Sequence, residues 1–164
     1  MKTKPTTTTK NSIEINASPE SIYKAFTTAE ALTKWMVPGE MTAKIHNFDV
    51  RPGGGYEMSL FYPKSEKEMR GKTSATEDRY TAHFTELIPN KKIVQKINFH
   101  STDAAFAEEM IMEATLKAKG KKTKVTLEFK NIPAGIRPED NEAGTKSSLE
   151  KLARYVMNEV CNEQ

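Results

Sequence analysis

The stretch RPGGGYEMSLFY, residues 51–62, decides which class of fold this chain adopts. Three consecutive glycines stand before an alternating run, in which Tyr56, Met58, Leu60 and Tyr62 share one face. A phosphate-binding loop needs GxxxxGK[ST], or GxGxxG between a strand and a helix, and the sequence contains neither string. Glycine adopts a positive φ without a Cβ clash, which suits a tight turn. The glycine run therefore predicts a turn into a strand and not a nucleotide site.

The period of two continues on both sides of this turn, which is typical of strands. Ile13 and Ile15 alternate with polar residues in a first strand that begins at Asn11. The further predicted strands are 41–50, 54–62, 79–88, 92–100, 107–119 and 122–130. Because strands and helices do not alternate along the chain, this order disfavours a parallel doubly wound sheet and favours an antiparallel one.

Helical patterns occur in two places, after the first strand and at the end of the chain. Ser18 and Pro19 suit the cap and first turn of one short helix, and a second is predicted over 29–36. The last helix carries an apolar stripe at helical spacing, formed by Leu149, Leu152, Ala153, Val156 and Val160. The predicted class is therefore α+β, with about six or seven antiparallel strands and one long C-terminal helix packed on the sheet.

The length and composition indicate a single domain. The chain has 164 residues, of which 1–10 are predicted to form a disordered arm and 11–164 one domain. The formal net charge of +3 is modest, and the basic run KGKKTK lacks interleaved aromatic residues, so we expect no nucleic-acid partner. No stretch is apolar enough to span a membrane, and the N-terminus does not resemble a signal peptide. With one cysteine, Cys161, a reducing cytoplasmic location is expected.

Three stretches carry a resemblance to a known family: NASPESIYKAFTTAEALTKWM at 16–36, FDVRPGGGYEM at 48–58, and NIPAGIRPEDNEAGTKSSLEKLARYV at 131–156. They resemble homologues of the activator of the ninety-kilodalton heat-shock protein ATPase, within the START-like, polyketide-cyclase-like (SRPBCC) superfamily. The resemblance implies a helix-grip fold, a curved sheet around the C-terminal helix with a cavity between them. Members commonly carry Trp after the glycine that matches Gly144, whereas this chain has Thr145, which the helical wheel turns inward.

Aromatic and sulfur side chains supply the candidate binding site, because methionine adapts to irregular apolar space. Whether they only fill a core or also line a cavity stays open at this point. Tyr56, Tyr80 and Tyr155 offer hydroxyl groups among apolar neighbours, as ligand pockets require. The candidate ligand-binding residues are Trp35, Phe48, Tyr56, Met58, His83, Phe99, Met110, Met112, Phe129, Thr145, Leu149 and Leu152.

No catalytic or metal-binding pattern is present in the sequence. His46, His83 and His100 do not stand at ligand spacing, so neither a metal nor another cofactor is expected. Glu108 and Glu109 are adjacent on a predicted strand and face opposite ways, so they cannot act as a pair. The catalytic residues therefore stay unassigned.

Three functions remain open: binding of a small apolar or amphipathic ligand, docking on a chaperone or other protein, and catalysis of the cyclase or hydrolase type. The resemblance allows all three, because the superfamily hosts them all. Polar groups in a dry cavity would favour the ligand, and a large exposed apolar patch would favour a protein partner. A histidine or carboxylate buried in the cavity would favour an enzyme.

Overall fold

The structure is a computed structural model that describes residues 7–37, 41–61, 77–101 and 104–162, with side chains as far as Glu159. The predicted polar loop at 63–78 lies almost wholly outside these residues, as do Tyr62 and the first six residues of the predicted arm. The strands are β1 (Thr9–Ile15), β2 (Thr42–Phe48), β3 (Gly55–Phe61), β4 (Glu77–Ile88), β5 (Lys92–Phe99), β6 (Met110–Lys119) and β7 (Lys122–Lys130). The helices are α1 (Pro19–Phe26), α2 (Ala29–Trp35) and α3 (Pro138–Asn162), and Ala104–Phe106 form a 3₁₀ turn.

The described strands form one antiparallel seven-stranded sheet in the order β1-β7-β6-β5-β4-β3-β2. Every strand except β1 neighbours the strand before or after it in sequence, and β1 joins the far edge beside β7. The sheet is curved, two short helices follow the first strand, and the long helix ends the chain. The predicted α+β class and helix-grip architecture are confirmed.

Four predicted strand boundaries differ from the structure by two or three residues. β2 ends at Phe48 instead of residue 50, and β4 begins at Glu77 instead of residue 79. β1 begins two residues earlier than predicted, because Thr9 and Lys10 pair with Phe129 and Glu128 of β7. Thr9 is also buried, and its hydroxyl donates to the side-chain oxygen of Asn141 on α3, which ties this end of β1 to the helix. The predicted strand 107–119 begins only at Met110, since residues 107–109 form an irregular segment after the 3₁₀ turn.

The glycine run is a turn, as predicted, and it holds β3 against β4. Gly53 has a φ of 88°, and its N–H donates to the carbonyl of Phe84 at 2.8 Å. The N–H of Phe84 donates in return to the carbonyl of Gly54, also at 2.8 Å. A Cβ at Gly55 would lie 2.0 Å from the carbonyl oxygen of Ala82, so only glycine permits this close approach.

The helices cover the concave side of the sheet. Ser18 caps α1 by accepting from the N–H of Ser21, as the sequence indicates. The ring of Trp35 on α2 meets Phe26 on α1 edge to face at 4.6 Å, and its Nε1 donates to the carbonyl of Ala25 at 2.8 Å. Within the described part of the chain, no helix combines the length and apolar character needed to cross a membrane.

The buried stripe of α3 predicts how much this helix contributes to the free energy of unfolding. Leu152 is fully buried, so Leu152→Ala should lower the free energy of unfolding by about 2–5 kcal/mol, through lost transfer energy and a residual cavity. Arg154 is exposed two residues along, and Arg154→Ala should change it by less than about 0.5 kcal/mol. Urea unfolding of both variants measures the difference. A Leu152→Ala loss under about 1 kcal/mol would contradict the docked helix.

Candidate functional site

The sheet has one buried face, here called the inner face, which is built by alternate residues of each strand. On β3 it presents Tyr56, Met58 and Leu60. On the other central strands it presents Asp78, Tyr80, Ala82 and Phe84 of β4, Ile93, Gln95, Ile97 and Phe99 of β5, and Met110, Met112, Ala114 and Leu116 of β6. Almost all of these side chains are apolar, so the polar ones require a reason.

Six aromatic rings run in a continuous row across the inner face and are here called the aromatic stripe. The stripe consists of Phe48, Phe84, Tyr56, Tyr80, Phe99 and Phe106. Adjacent ring centroids are 5.6 to 6.5 Å apart, and all six pairs are tilted or edge to face, which avoids a face-to-face stack. Phe48, Phe99 and Phe106 are half-buried, so the ends of the stripe approach the solvent while its centre is covered.

A hydrogen bond lies at the centre of the stripe. Tyr56 stands opposite the small Ala82, so its ring lies across β4 towards β5. There its hydroxyl donates to Oε1 of Gln95 at 3.2 Å. Gln95 is fully buried, and among the described residues its Nε2 has no hydrogen-bond partner. A buried amide nitrogen without an acceptor costs about 1–3 kcal/mol of stability, which is unusual in a purely structural core.

The two tyrosine hydroxyls of this centre are both uncharged near neutral pH. Burial raises the pKa of Tyr56 to about 12, although its hydrogen bonds to Gln95 and Tyr80 act in the opposite direction. Burial also raises the pKa of Tyr80 well above its usual range, and its contact with Tyr56 adds to the effect. The hydroxyl of Tyr80 contacts Sδ of Met58 at 3.1 Å, and that of Tyr56 contacts Sδ of Met36 at 3.8 Å. These phenols are hydrogen-bonding groups and not bases.

Few charged side chains stand at the described strand positions of the inner face. At the described strand positions of this face, the only charged type of side chain is Asp78, two residues before Tyr80 and buried. No lysine, arginine or histidine stands at a described strand position on this side. The inner face therefore offers neutral donors and acceptors and one carboxyl group, but no cation.

The outer face of the sheet holds the ionic groups. Glu57 accepts from Arg79 at 2.7 Å, and this contact holds the pKa of the Glu57 carboxyl below its usual range. His46 hydrogen-bonds Ser59 at 2.8 Å, and His100 hydrogen-bonds Thr81 at 2.6 Å. Within the described residues, no three His, Cys, Asp or Glu side chains converge on a point where a metal ion would fit.

The structure brings most predicted site residues to the interior, with one exception. His83 is exposed on the outer face, because it follows Ala82 and precedes Phe84, both of which point inward. It therefore does not join the other candidates. The buried ones are Trp35, Tyr56, Met58, Met110, Met112, Thr145, Leu149 and Leu152, and the half-buried ones are Phe48, Phe99 and Phe129.

These candidates divide by position. Phe48, Tyr56 and Phe99 belong to the aromatic stripe, and Met58 contacts it through Tyr80. Thr145 is buried on α3, and its hydroxyl donates to the carbonyl of Asn141 at 2.7 Å. Met110, Met112 and Phe129 lie on β6 and β7 beyond the stripe. Trp35 packs between α1 and α2 and contributes to the core there.

Sequence reasoning missed Gln95, the most informative residue of the site. A signal for it was present, because Ile93, Gln95 and Ile97 stand at the period of two and two of the three are apolar. A polar residue at such a position is either exposed by a register change or buried for a reason. Gln95 is buried opposite Phe84 on β4 and Met112 on β6, and the register between β4 and β5 shifts just beyond this pair, between Phe84 and Glu86.

Two depressions lie on the surface of the described residues, away from the aromatic stripe. A cleft of about 60 Å³ lies between α1 and the end of α3, beside Tyr155 and Val156. This is well below the roughly 300–1,000 Å³ of ligand pockets. A shallow groove of about 490 Å³ follows α1 near Tyr23 and Asn90 and is open to solvent. Neither combines apolar walls with an unpartnered polar group, as the inner face does.

Comparison with known proteins gives a family and a fold. The family described as Activator of Hsp90 ATPase homolog 1-like protein matches residues 16–157. A solved structure from Chromobacterium violaceum is 28% identical, with a TM-score of 0.80, covering 91% of this chain and 96% of that one. A structure from Rhizobium loti is 23% identical, with a TM-score of 0.68 and coverage of 91% and 96%. An AHSA1-like protein from Aeromonas hydrophila is 16% identical, with a TM-score of 0.69 and coverage of 92% and 93%. No curated protein matches the chain.

The buried phenols predict how stability depends on alkaline pH. Their folded pKa values exceed the value near 10 of an unfolded tyrosine, so the unfolded state loses these protons first. Their stabilising contribution is complete below about pH 10 and falls above it by up to about 1.4 kcal/mol per pH unit for each phenol. For Tyr56 the fall ends near pH 12. Urea unfolding between about pH 8 and pH 11 should show a shallower decline for Tyr56→Phe than for the wild type. Equal slopes would contradict a buried neutral phenol at Tyr56.

Proposed function

This chain belongs to the family of Activator of Hsp90 ATPase homolog 1-like proteins, and from that premise we propose that it binds a small apolar or amphipathic molecule between the sheet and α3. The observation that carries this proposal is the fully buried amide of Gln95, whose Nε2 has no partner among the described residues. Buried polar groups are almost always hydrogen-bonded, so an unpartnered one calls for a ligand atom. Its surroundings, aromatic rings and methionines with a few placed hydroxyls, are those of a small-molecule site.

The walls of the proposed site follow from the positions already described. Tyr56, Tyr80 and Gln95 supply the polar contacts, and Phe48, Met58 and Phe99 supply apolar contacts around them. Met110, Met112, Phe129, Thr145, Leu149 and Leu152 form the more distant wall, on β6, β7 and α3. Methionine side chains adapt to irregular shapes, which lets the interior admit a guest. The proposal requires no metal or other cofactor. We also propose a cytoplasmic location, because a single cysteine, Cys161, suits a reducing compartment.

A protein-docking role has weaker support. The exposed large apolar side chains among the described residues are Val50 and Ile88, and each is exposed by only a little over a third. Partner-binding surfaces on monomeric proteins are expected to form contiguous apolar patches of several hundred Å². The interior is therefore the better supported site.

One observation favours an enzyme as a second candidate. Asp78 is a buried carboxyl-bearing residue on the same face as Tyr80, and a carboxyl group in a ligand site is a candidate acid or base. An aryl ester such as 2-naphthyl acetate tests this, since hydrolysis releases fluorescent naphthol. Turnover by the wild type that disappears in Asp78→Asn, with probe binding retained, would favour the enzyme. We expect no turnover above the rate in buffer.

The proposed binding is tested with a neutral apolar dye, N-phenyl-1-naphthylamine, whose fluorescence rises in dry surroundings. We expect saturable binding to the wild type, and mass spectrometry of natively purified protein should detect a co-purified small molecule. A protein that neither binds the dye nor releases a molecule would contradict the proposal. Competition between the dye and the released molecule would place both in one site.

Replacing Thr145 by a larger residue tests whether a side chain on α3 can fill the proposed site. It is buried where the family commonly has Trp, and a fully packed indole buries about 150–250 Å². Thr145→Trp should leave thermal stability equal or higher while weakening dye binding. Without room, overpacking would instead cost about 1–3 kcal/mol.

The matched control for this substitution is Lys146→Trp, which adds the same indole at an exposed neighbouring position. It should change neither thermal stability nor dye binding appreciably. Marked destabilisation of Thr145→Trp together with unchanged dye binding would contradict a site at this end of α3.

A further inference from the structure

We propose that the ligand carries an uncharged hydrogen-bond acceptor, such as a ketone, ester or amide carbonyl, on a flat apolar body, and that Gln95 donates to it. This inference rests on the proposed function, since it specifies the chemistry of the molecule that occupies the inner face. Three independent features of the described residues support it: the unsatisfied amide nitrogen of Gln95, the charge of the inner face, and the shape of the aromatic stripe.

The unsatisfied group of Gln95 is a hydrogen-bond donor. Its Oε1 accepts from the hydroxyl of Tyr56, whereas the two N–H groups of Nε2 have no acceptor among the described residues. The side chain is fully buried, so water in the bulk does not reach it. Gln95 thus provides a fixed N–H donor, which a ligand satisfies with an oxygen or nitrogen lone pair.

The charge of the inner face selects against an anion. Its described strand positions carry no lysine, arginine or histidine that would pair with an anion. The inward residues of α3 near Thr145 and Ser148 are neutral. Lys151, the nearest cationic type on that helix side, donates to the backbone carbonyl of Val37. Burying an unpaired carboxylate costs several kcal/mol, so a fatty acid anion or similar ligand is disfavoured.

The shape of the aromatic stripe favours a ligand with a flat apolar body. Tyr56 meets Phe84 at 5.9 Å and Tyr80 at 6.4 Å, with planes tilted by 54° and 66°. A planar ring system continues such tilted contacts at the favoured geometry, whereas a bulky saturated body does not. Ala82 stands between Tyr56 on β3 and Ile97 on β5, and its side chain is a single methyl group.

The test uses three naphthalenes of matched size: 2-acetylnaphthalene, its alkene isostere 2-isopropenylnaphthalene, and 2-naphthoate. On the wild type we expect the ketone to bind about tenfold tighter than the alkene, because only the ketone satisfies the buried donor. The anionic naphthoate should bind more weakly than either. Dissociation constants come from displacement of N-phenyl-1-naphthylamine or from calorimetry.

The variant Gln95→Met removes the donor and keeps the length of the side chain. It should reduce the ketone-to-alkene ratio to about one while the affinity for the alkene is retained or improved. Lys96→Met, next in sequence on the outer face, is the matched control and should keep the wild-type ratio. The comparison of ketone with alkene on the wild type does not depend on any variant folding.

Each outcome separates this inference from the proposed function. Equal binding of ketone and alkene to the wild type, or tighter binding of naphthoate, overturns the inference and leaves the proposed function standing. Binding of N-phenyl-1-naphthylamine without binding of the ketone does the same. Failure of all four probes to bind overturns the inference, and it overturns the proposed function as well if the natively purified protein releases no small molecule. A ratio unchanged in Gln95→Met overturns the role of Gln95.

Discussion

The hydrogen bond between Tyr56 and Gln95 depends on a single register, and the site depends on that bond. Tyr56 reaches β5 only because it stands opposite Ala82, and this pairing is set where the glycine turn meets β4. The paired hydrogen bonds between that turn and Phe84, together with the close approach of Gly55 to Ala82, allow one alignment of the two strands. A slip of one residue would move Tyr56 to the outer face, because side chains alternate with a period of two. The glycine run therefore fixes the contact between Tyr56 and Gln95, although it lies outside the aromatic stripe.

The interior contains groups that a core selected for stability alone would not keep. Trp35 illustrates the ordinary solution, since its buried N–H finds the carbonyl of Ala25. Gln95 does not find an equivalent acceptor among the described residues, and an apolar residue of similar size would remove its cost. Proteins retain such local violations at functional sites and compensate elsewhere in the fold. Here the compensation comes from the apolar burial around it, on β4, β5 and β6.

The element order and the turn were predictable from the sequence because they rest on local rules. The stripe through Leu149 and Leu152 identified the buried side of α3, and the strand alternation identified seven strands to within a few residues. The first residues of β1 were not predictable, since Thr9 is ordered by Asn141, which lies far away in sequence. His83 was a candidate because it stands on a predicted strand, but the sequence did not show which face it takes. Neighbouring strand residues face opposite sides, so the burial of Ala82 and Phe84 puts His83 on the outer face. Gln95 could not be identified from the sequence, because the pattern of apolar residues predicts only which face of the sheet a residue takes. Whether its amide finds a hydrogen-bond partner depends on the folded structure.

Family membership and site chemistry carry different information about this protein. The solved relatives share the helix-grip fold at 28% identity or less, and a shared fold does not determine function. Backbone pairing of β5 with β4 and β6 does not involve the Gln95 side chain, so the residue at this position can change without altering the sheet. The same holds for Thr145, whose hydroxyl bonds only within its own helix. If the proposed ligand binds, its specificity would reside in such inward positions, and in this chain they present a neutral donor beside a row of aromatic rings.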